Sequence, residues 1–490
     1  MFEHFLQAIG LVFTIKVLLA LVSGVLVGYF VGAMPGLTSS IGMALLIPFT
    51  FGMEPIPAIV MLVTIYMAAD YAAGIPAILV NAPGQPAAAV TAFDGFPMSQ
   101  RGESGRALNL SIMASGAGAL ISGVMLVVSA QVMASAALAF GPAEYFALAV
   151  VGLSLIGVLS AGSTLKAVIG LVFGLVVVTI GIDPIRGSER FVIDYLLIDG
   201  IPFLPALIGL FALSEVFVML ETANQKISPI KHTPSASASL RALVPYKATV
   251  LRSSLIGYLV GVVPGAGASI ASLISYGVAK NLSPIKDTFG TGNPEGIVAS
   301  ETANNAAVSG ALAPLLSLGI PGSASAAVLI GGLTIQGLQP GPLLFSNNPE
   351  IPYSIFVALF LGLPIMVTVG LFGARLWVQI TRIPRPIIAT IVASVSMLGA
   401  YAAANHTFEM MVTAIFGVIG YVLRRCDIHP APIVLALVLG DMLEASLRRA
   451  MITANDNFLA VLSQPITAVL IALAVLVLAS PLLGRRRAVK

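Results

Sequence analysis

Charge is scarce in this sequence. Asp, Glu, Lys and Arg make up 9% of its 490 residues, where a soluble globular protein carries about 25%. A soluble enzyme of this length could not cover its surface with so few charges. Cysteine occurs once, at Cys426, which excludes a disulfide framework and any cysteine-built metal site; it reads as a small apolar filler in a helix. The four histidines, His4, His232, His406 and His429, are scattered without metal-ligand spacing and read as solvated or interfacial. No Gly-x-x-x-x-Gly-Lys-Ser/Thr run is present, which excludes ATP hydrolysis on this chain. No nucleophile stands beside a base in a supporting context. The net charge of +3 is too small for a nucleic-acid binder.

What is abundant is apolar sequence. Hydrophobic residues make up 58% of the chain and the mean hydropathy is +1.01, so the surrounding solvent is lipid. Apolar stretches near 9–31, 41–69, 107–140, 144–160, 164–182, 201–221, 249–280, 298–338, 351–376, 386–404, 408–423, 429–447 and 458–483 predict an all-α polytopic membrane protein. A span needs roughly 20 residues, which gives about 10–14 membrane segments. No cleavable signal is expected, because the first stretch is long enough to span and many more follow. The polar stretch 222–252 carries Lys226, Lys231, Arg241, Lys247 and Arg252, and the C-terminus carries Arg485, Arg486 and Arg487. Both are expected on the cytoplasmic side by the positive-inside rule. The expected organisation is an N-terminal transmembrane repeat (1–221), a basic cytoplasmic linker (222–248) and a C-terminal transmembrane repeat (249–490).

The repeat shows in the residues. Gly28-Tyr-Phe-Val-Gly32-Ala-Met-Pro35-Gly36 matches Gly257-Tyr-Leu-Val-Gly261-Val-Val-Pro264-Gly265 at an offset of 229. Pro76 and Pro83-Gly84 match Pro314 and Pro321-Gly322 at an offset of 238. Two matches in one order at nearly one offset argue for internal duplication. Residues 1–8 hold no Lys or Arg, whereas the stretch before the second copy is basic, a contrast that favours opposite orientation of the copies.

Gly, Pro and Asn cluster inside apolar stretches, at 32–38, 74–86, 261–267 and 304–323. Proline removes a backbone donor and breaks a helix, and broken backbone survives in a membrane only where protein or a water-filled cavity surrounds it. Four breaks paired across a repeat predict discontinuous or re-entrant helices meeting at a central site. Helix N-termini freed there suit a carboxylate, and freed carbonyls suit Na⁺ or a proton-carrying water. The candidate substrate-binding residues are Pro35, Gly36, Thr38, Asn81, Pro83, Gly84, Gln85, Pro264, Gly265, Gly267, Asn304, Asn305, Pro321, Gly322 and Ser323. Gly28, Gly32, Gly257 and Gly261 read as close-packing glycines, and interhelical hydrogen bonding is the competing reading for Asn304 and Asn305. Lys16, Asp70, Glu215, Glu301, Asp441 and Glu444 lie near membrane depth, where ionisable groups are costly. Lys16 reads as snorkelling; Glu444 and Arg448 are spaced to pair. Asp70 and Glu301, closest to the breaks, are the candidates for ion coupling.

These residues resemble the large membrane subunit of the tripartite tricarboxylate transporters, the TctA family. The similar segments are Gly28 to Thr38, Ala77 to Gly84, Asp94 to Met98, Gly102 to Leu108, Gly261 to Ala268, Pro294 to Gly296 with Glu301 to Ala307, Leu318 to Ser323, Gly337 to Pro342, and Leu439-Gly440 with Glu444 to Arg448. The resemblance runs from about residue 20 to 465, and the ordered set is highly specific. It implies a secondary transporter in a bacterial inner membrane, driven by a Na⁺ or H⁺ gradient and without a cofactor. It further implies a small membrane subunit and a periplasmic solute-binding protein that delivers a small carboxylate. Many members have Tyr-Gly-Gly-Ser where this chain has Tyr71-Ala72-Ala73-Gly74, which puts citrate itself in doubt as substrate. Two other expectations stay open beside transport. An intramembrane enzyme using Asp70 and Glu301 would act in detergent without a gradient, and an anion channel would keep conducting after the gradient collapses.

Overall fold

The structure, a computed structural model, describes residues 2–159, 163–183, 187–222, 240–380 and 383–485. Most of the basic linker, with Lys226, Lys231 and His232, lies outside the described residues, as do Arg486 and Arg487. Regular structure in the described part is almost wholly helical.

The first half opens with α1 (Phe2–Val12), α2 (Ile15–Gly32) and α3 (Ser39–Leu46). It continues through α4 (Pro55–Ala72), α5 (Gly74–Val80), α6 (Pro86–Gln100), α7 (Ser104–Ala137), α8 (Pro142–Leu159) and α9 (Thr164–Val178). A short antiparallel hairpin, β1 (Gly181–Ile182) with β2 (Glu189–Arg190), leads to α10 (Phe203–Ile208) and α11 (Ser214–Glu221), joined by a π-helical turn at Gly209–Leu213. The second half holds α12 (Lys247–Val262), α13 (Gly267–Leu282), α14 (Pro294–Leu318), α15 (Ala324–Ile335) and α16 (Pro342–Asn347). It closes with α17 (Glu350–Phe372), α18 (Ala374–Ile380), α19 (Arg385–Ala404), α20 (Thr407–Arg425), α21 (Pro430–Thr453), α22 (Phe458–Leu462) and α23 (Pro465–Arg485).

Among the described residues, eight helices are long and apolar enough to cross a membrane, and shorter apolar helices such as Ser39–Thr50 and Ala324–Ile335 lie among them. α7, with 34 residues, runs about 51 Å at 1.5 Å per residue, well beyond a hydrocarbon core of about 30 Å. The bilayer-facing surface shows as exposed apolar stripes, such as Leu120, Val124, Val128 and Val132 of α7. The centre lies at α4–α5 and α14. The first is buried from Pro57 to Val80, and α14 is buried from Gly296 to Ser317. α14 is too polar to count among the eight apolar spans, with Ser300, Glu301, Thr302, Asn304, Asn305 and Ser309 along it, and protein rather than lipid surrounds it.

Three stretches expected as single apolar runs are divided. Residues 41–69 contain α3, a 3₁₀ turn and most of α4; 249–280 is α12 and α13; 298–338 is α14 and α15. α12 begins at Lys247, inside the stretch expected as linker. Cys426 is not a filler in a helix: it follows α20 and is exposed.

The divisions come from backbone chemistry. α2 stops at Gly32, and Gly36 takes φ +91°, a left-handed conformation open to glycine. α12 stops at Val262, and the matching Gly265 takes φ +80°. α5 ends on Asn81 at φ +53° and α14 on Gly319 at φ +73°. Each of these ends is closed by the same bond: Ala82 N–H to Pro76 O at 3.3 Å, and Ile320 N–H to Pro314 O at 3.2 Å.

Candidate functional site

The glycines expected to pack do so, in the same way in both halves. A Cβ at Gly28 would stand 2.7 Å from the Ala68 methyl, and one at Gly32 would collide with the Ala69 carbonyl of α4. Gly257 and Gly261 press likewise on the Ala303 and Ala307 carbonyls of α14. One turn beyond, Gly84 sits against the Gly32 carbonyl and Gly322 against the Gly261 carbonyl. Gly265 N–H also donates to Gly322 O at 3.2 Å. The breaks therefore touch in pairs, 32–38 with 81–86, and 261–267 with 319–323.

Polar side chains then join the pairs. Ser39 Oγ, at the start of α3, is 2.8 Å from Ser325 Oγ of α15. Tyr66 of α4 is 2.7 Å from Ser323 Oγ. Gln85 Nε2 donates to Asp70 Oδ1 at 2.9 Å, and Asn304 Nδ2 donates to the Asp70 carbonyl at 3.0 Å. Pro35, Gly36, Thr38, Pro83, Gln85, Pro264, Gly265, Gly267 and Ser323 are half-buried. Pro321 and Gly322 are buried, and Asn81 is exposed at its helix end.

The helix N-termini at the breaks are not alike. Thr38 accepts from Ile41 N–H and Ser323 from Ala326 N–H, so α3 and α15 are capped by their own side chains. α6 and α13 have no side-chain cap.

Glu301 lies deeper, with no solvent exposure. Its oxygens accept from Thr91 Oγ1 at 2.6 Å and from Ser115 Oγ at 2.8 Å. Neither Asp70 nor Glu301 is ion-paired to an arginine or lysine among the described residues. Removing a carboxylate from water costs on the order of several kcal/mol, so hydroxyls and an amide are meagre compensation. Asn304 Oδ1, both amide atoms of Asn305 and Ser111 Oγ are buried without a hydrogen-bond partner among the described residues. Each such atom costs about 1–3 kcal/mol unless a ligand meets it.

Two other acidic candidates, Glu215 and Glu444, are ion-paired. Glu215, whose Oε1 would be 3.2 Å from a Cβ at Gly36, forms an ion pair with Arg424. Glu444 meets Arg448 at 2.8 Å, as the spacing implied, and Arg190 at 2.6 Å. Lys16 pairs with Glu54 at the surface. His406 and His429 cap α20 and α21 through Nδ1. Among the described residues no group of His, Cys, Asp and Glu has the arrangement of a metal site. A cavity of about 500 Å³ lies away from the breaks, lined by Arg190, Asp199, Phe203, Asp441 and Glu444 among others.

The sequence pattern missed Ser39, Tyr66, Thr91, Ser115 and Ser325. Hydroxyl residues are common in membrane helices, and no spacing rule singles these out.

The sequence profile of the tripartite tricarboxylate transporter TctA family matches residues 18–435, a span that takes in all four breaks and both carboxylates. The chain belongs to the TctA family. This transporter is a multi-pass membrane protein. It is 35% identical over 450 residues to a protein of Agrobacterium vitis described as "Uncharacterized 52.8 kDa protein in TAR-I ttuC' 3'region", covering 92% of this chain and 90% of that one. A second protein of that organism, "Uncharacterized protein in TAR-II ttuC' 3'region", is 37% identical over 217 residues, 44% of this chain and 90% of its own length. No solved structure matches.

Proposed function

We propose that this TctA-family protein is the translocating subunit of an ion-gradient-driven importer of a small di- or tricarboxylate in a bacterial inner membrane, its C-terminus cytoplasmic. A periplasmic binding protein delivers the anion and a small membrane subunit completes the transporter. The carboxylates of the substrate lie among Pro35–Thr38, Asn81–Gln85, Pro264–Ala268 and Asn304–Ser323. Asp70 and Glu301 couple to Na⁺ or H⁺.

The observation that carries this reading is the junction of the four breaks through Ser39–Ser325, Tyr66–Ser323 and Asn304–Asp70. Broken backbone tied together inside protein presents main-chain dipoles where an anion and a cation can both be held. Movement about this point exposes it to either side in turn.

The test is uptake into proteoliposomes with the cognate binding protein, a panel of carboxylates and imposed gradients. Uptake is expected only with a Na⁺ or proton gradient, and uptake that persists after the gradient collapses refutes coupling. Replacing Asn304 and Asn305 together by alanine is expected to lower uptake at least tenfold in folded protein. Normal transport by that double variant removes the site assignment.

A further inference from the structure

Asp70 and Glu301 are both enclosed by protein, yet their surroundings differ. Asp70 faces the breaks, where Gln85 donates to it at 2.9 Å. Glu301 lies behind, held by Thr91 of α6 and Ser115 of α7 at 2.6 and 2.8 Å. The two environments meet at Gly74, one helical turn after Asp70. A Cβ there would stand 2.8 Å from Glu301 Oε1 and 3.5 Å from Ser111 Oγ. Ser111 Oγ is 1% exposed in its residue and has no hydrogen-bond partner among the described residues. The same is true of both amide atoms of Asn305, one turn along α14 from Glu301. Between the carboxylates lies Asn304, whose Nδ2 holds the Asp70 carbonyl while its buried Oδ1 is unpartnered.

The titratable groups that interact with Glu301 are Asp70 and Tyr71. Tyr66 interacts with Asp70. None of these brings positive charge. Two carboxylates in a lipid-enclosed interior repel any approaching carboxylate, and helix N-termini offset only partial charge. Opposite charge is thus required before an organic anion can enter. The unpartnered oxygens beside Glu301 are of the hard, neutral kind that accompany a carboxylate around a small cation or a bound proton.

We propose that Asp70 and Glu301 form two separate sites, each taking one monovalent cation, Na⁺ or a proton, and that both fill before the organic anion binds. The anion step rests on the transport reading above; the two cation sites do not. Glu301, Thr91, Ser115, Ser111 and Asn305 form the inner site. Asp70 with Gln85 forms the outer one, next to the anion.

The test counts cations at equilibrium, without a gradient, on the full chain purified in detergent. Bound radioactive Na⁺ is measured in Na⁺ buffer, and proton uptake is measured in Na⁺-free buffer as the difference between native protein and variant. Glu301→Gln and Asp70→Asn are each expected to remove one cation per chain, and the double variant two. A variant that leaves the count unchanged overturns the proposal, as does a double variant that removes only one. Ser115→Ala keeps the carboxylate and is expected to weaken cation affinity several-fold with the count unaltered, which separates ligation from misfolding. Citrate and succinate serve as anion probes, and neither is expected to bind in alkaline, Na⁺-free buffer. Equal binding with and without cations overturns the filling order. A protein that counts two cations yet transports no carboxylate in proteoliposomes keeps the cation sites and sinks the transport reading alone.

Discussion

Asp94 shows how much one side chain can hold. It has no solvent exposure, and its Oδ1 accepts from the backbone N–H groups of Gly290, Gly292 and Asn293 at 2.7–2.8 Å. Its Oδ2 accepts from the Tyr276 hydroxyl at 2.8 Å. The α13–α14 connection is thereby fixed to α6, the helix that leaves the second break. Asp94→Ala would leave three backbone donors without their acceptor at about 1–3 kcal/mol each. A fall in melting temperature of the detergent-purified protein is expected, and an unchanged one would mean that other contacts hold the loop. The sequence displayed Asp94 within a family segment and gave no hint of its four partners, because all lie about 180–200 positions away. Gly74 carries a similar lesson. A side chain in its place would press on the carboxylate, since a Cβ there would stand 2.8 Å from Glu301 Oε1.

At the scale of the helix, the four breaks were legible and the carboxylate shells were not. A proline lacks its N–H and a glycine tolerates φ > 0 whatever surrounds it, so Pro35-Gly36 and Pro264-Gly265 interrupt their helices on local grounds. Which hydroxyl meets which carboxylate depends on the rotation of α6, α7 and α14 against one another, and no local rule encodes that phase. The helix pairs α2–α4 and α12–α14 rest on the same use of glycine. Gly28→Leu and Gly257→Leu each force a branched side chain against a neighbouring helix, and overpacking of this kind costs about 1–3 kcal/mol. Both variants are expected to lose monodisperse protein on size-exclusion chromatography to a similar degree. If Gly257→Leu is tolerated while Gly28→Leu is not, the two contacts are not equivalent.

Taken as one molecule, the protein is joined across its halves by many polar contacts, among them Thr91 and Ser115 to Glu301, Tyr276 to Asp94 and Arg190 to Glu444, and Ser39–Ser325 is a direct one between the breaks. On the transport reading proposed above, movement at the breaks separates this pair. With cysteines at both positions, in a Cys426→Ser background that removes the exposed native thiol, side chains whose oxygens are 2.8 Å apart come within reach of a disulfide. Oxidation is expected to arrest uptake in proteoliposomes and reduction to restore it. Full transport by the cross-linked protein would show that the halves do not part at this point.

The sequence by itself determined the solvent and the interruptions. Scarce charge and long apolar runs require lipid, and the Pro35-Gly36 and Pro264-Gly265 pairs, with their glycines at φ +91° and +80°, interrupt the chain on local grounds. Only the tertiary structure decided that the interruptions meet, that Glu215 is ion-paired while Asp70 and Glu301 are not among the described residues, and that α14 stands in protein instead of lipid. Those outcomes depend on contacts between residues such as Ser115 and Glu301, 186 positions apart. Their pairing exists only once the helices have taken up their mutual rotation and depth.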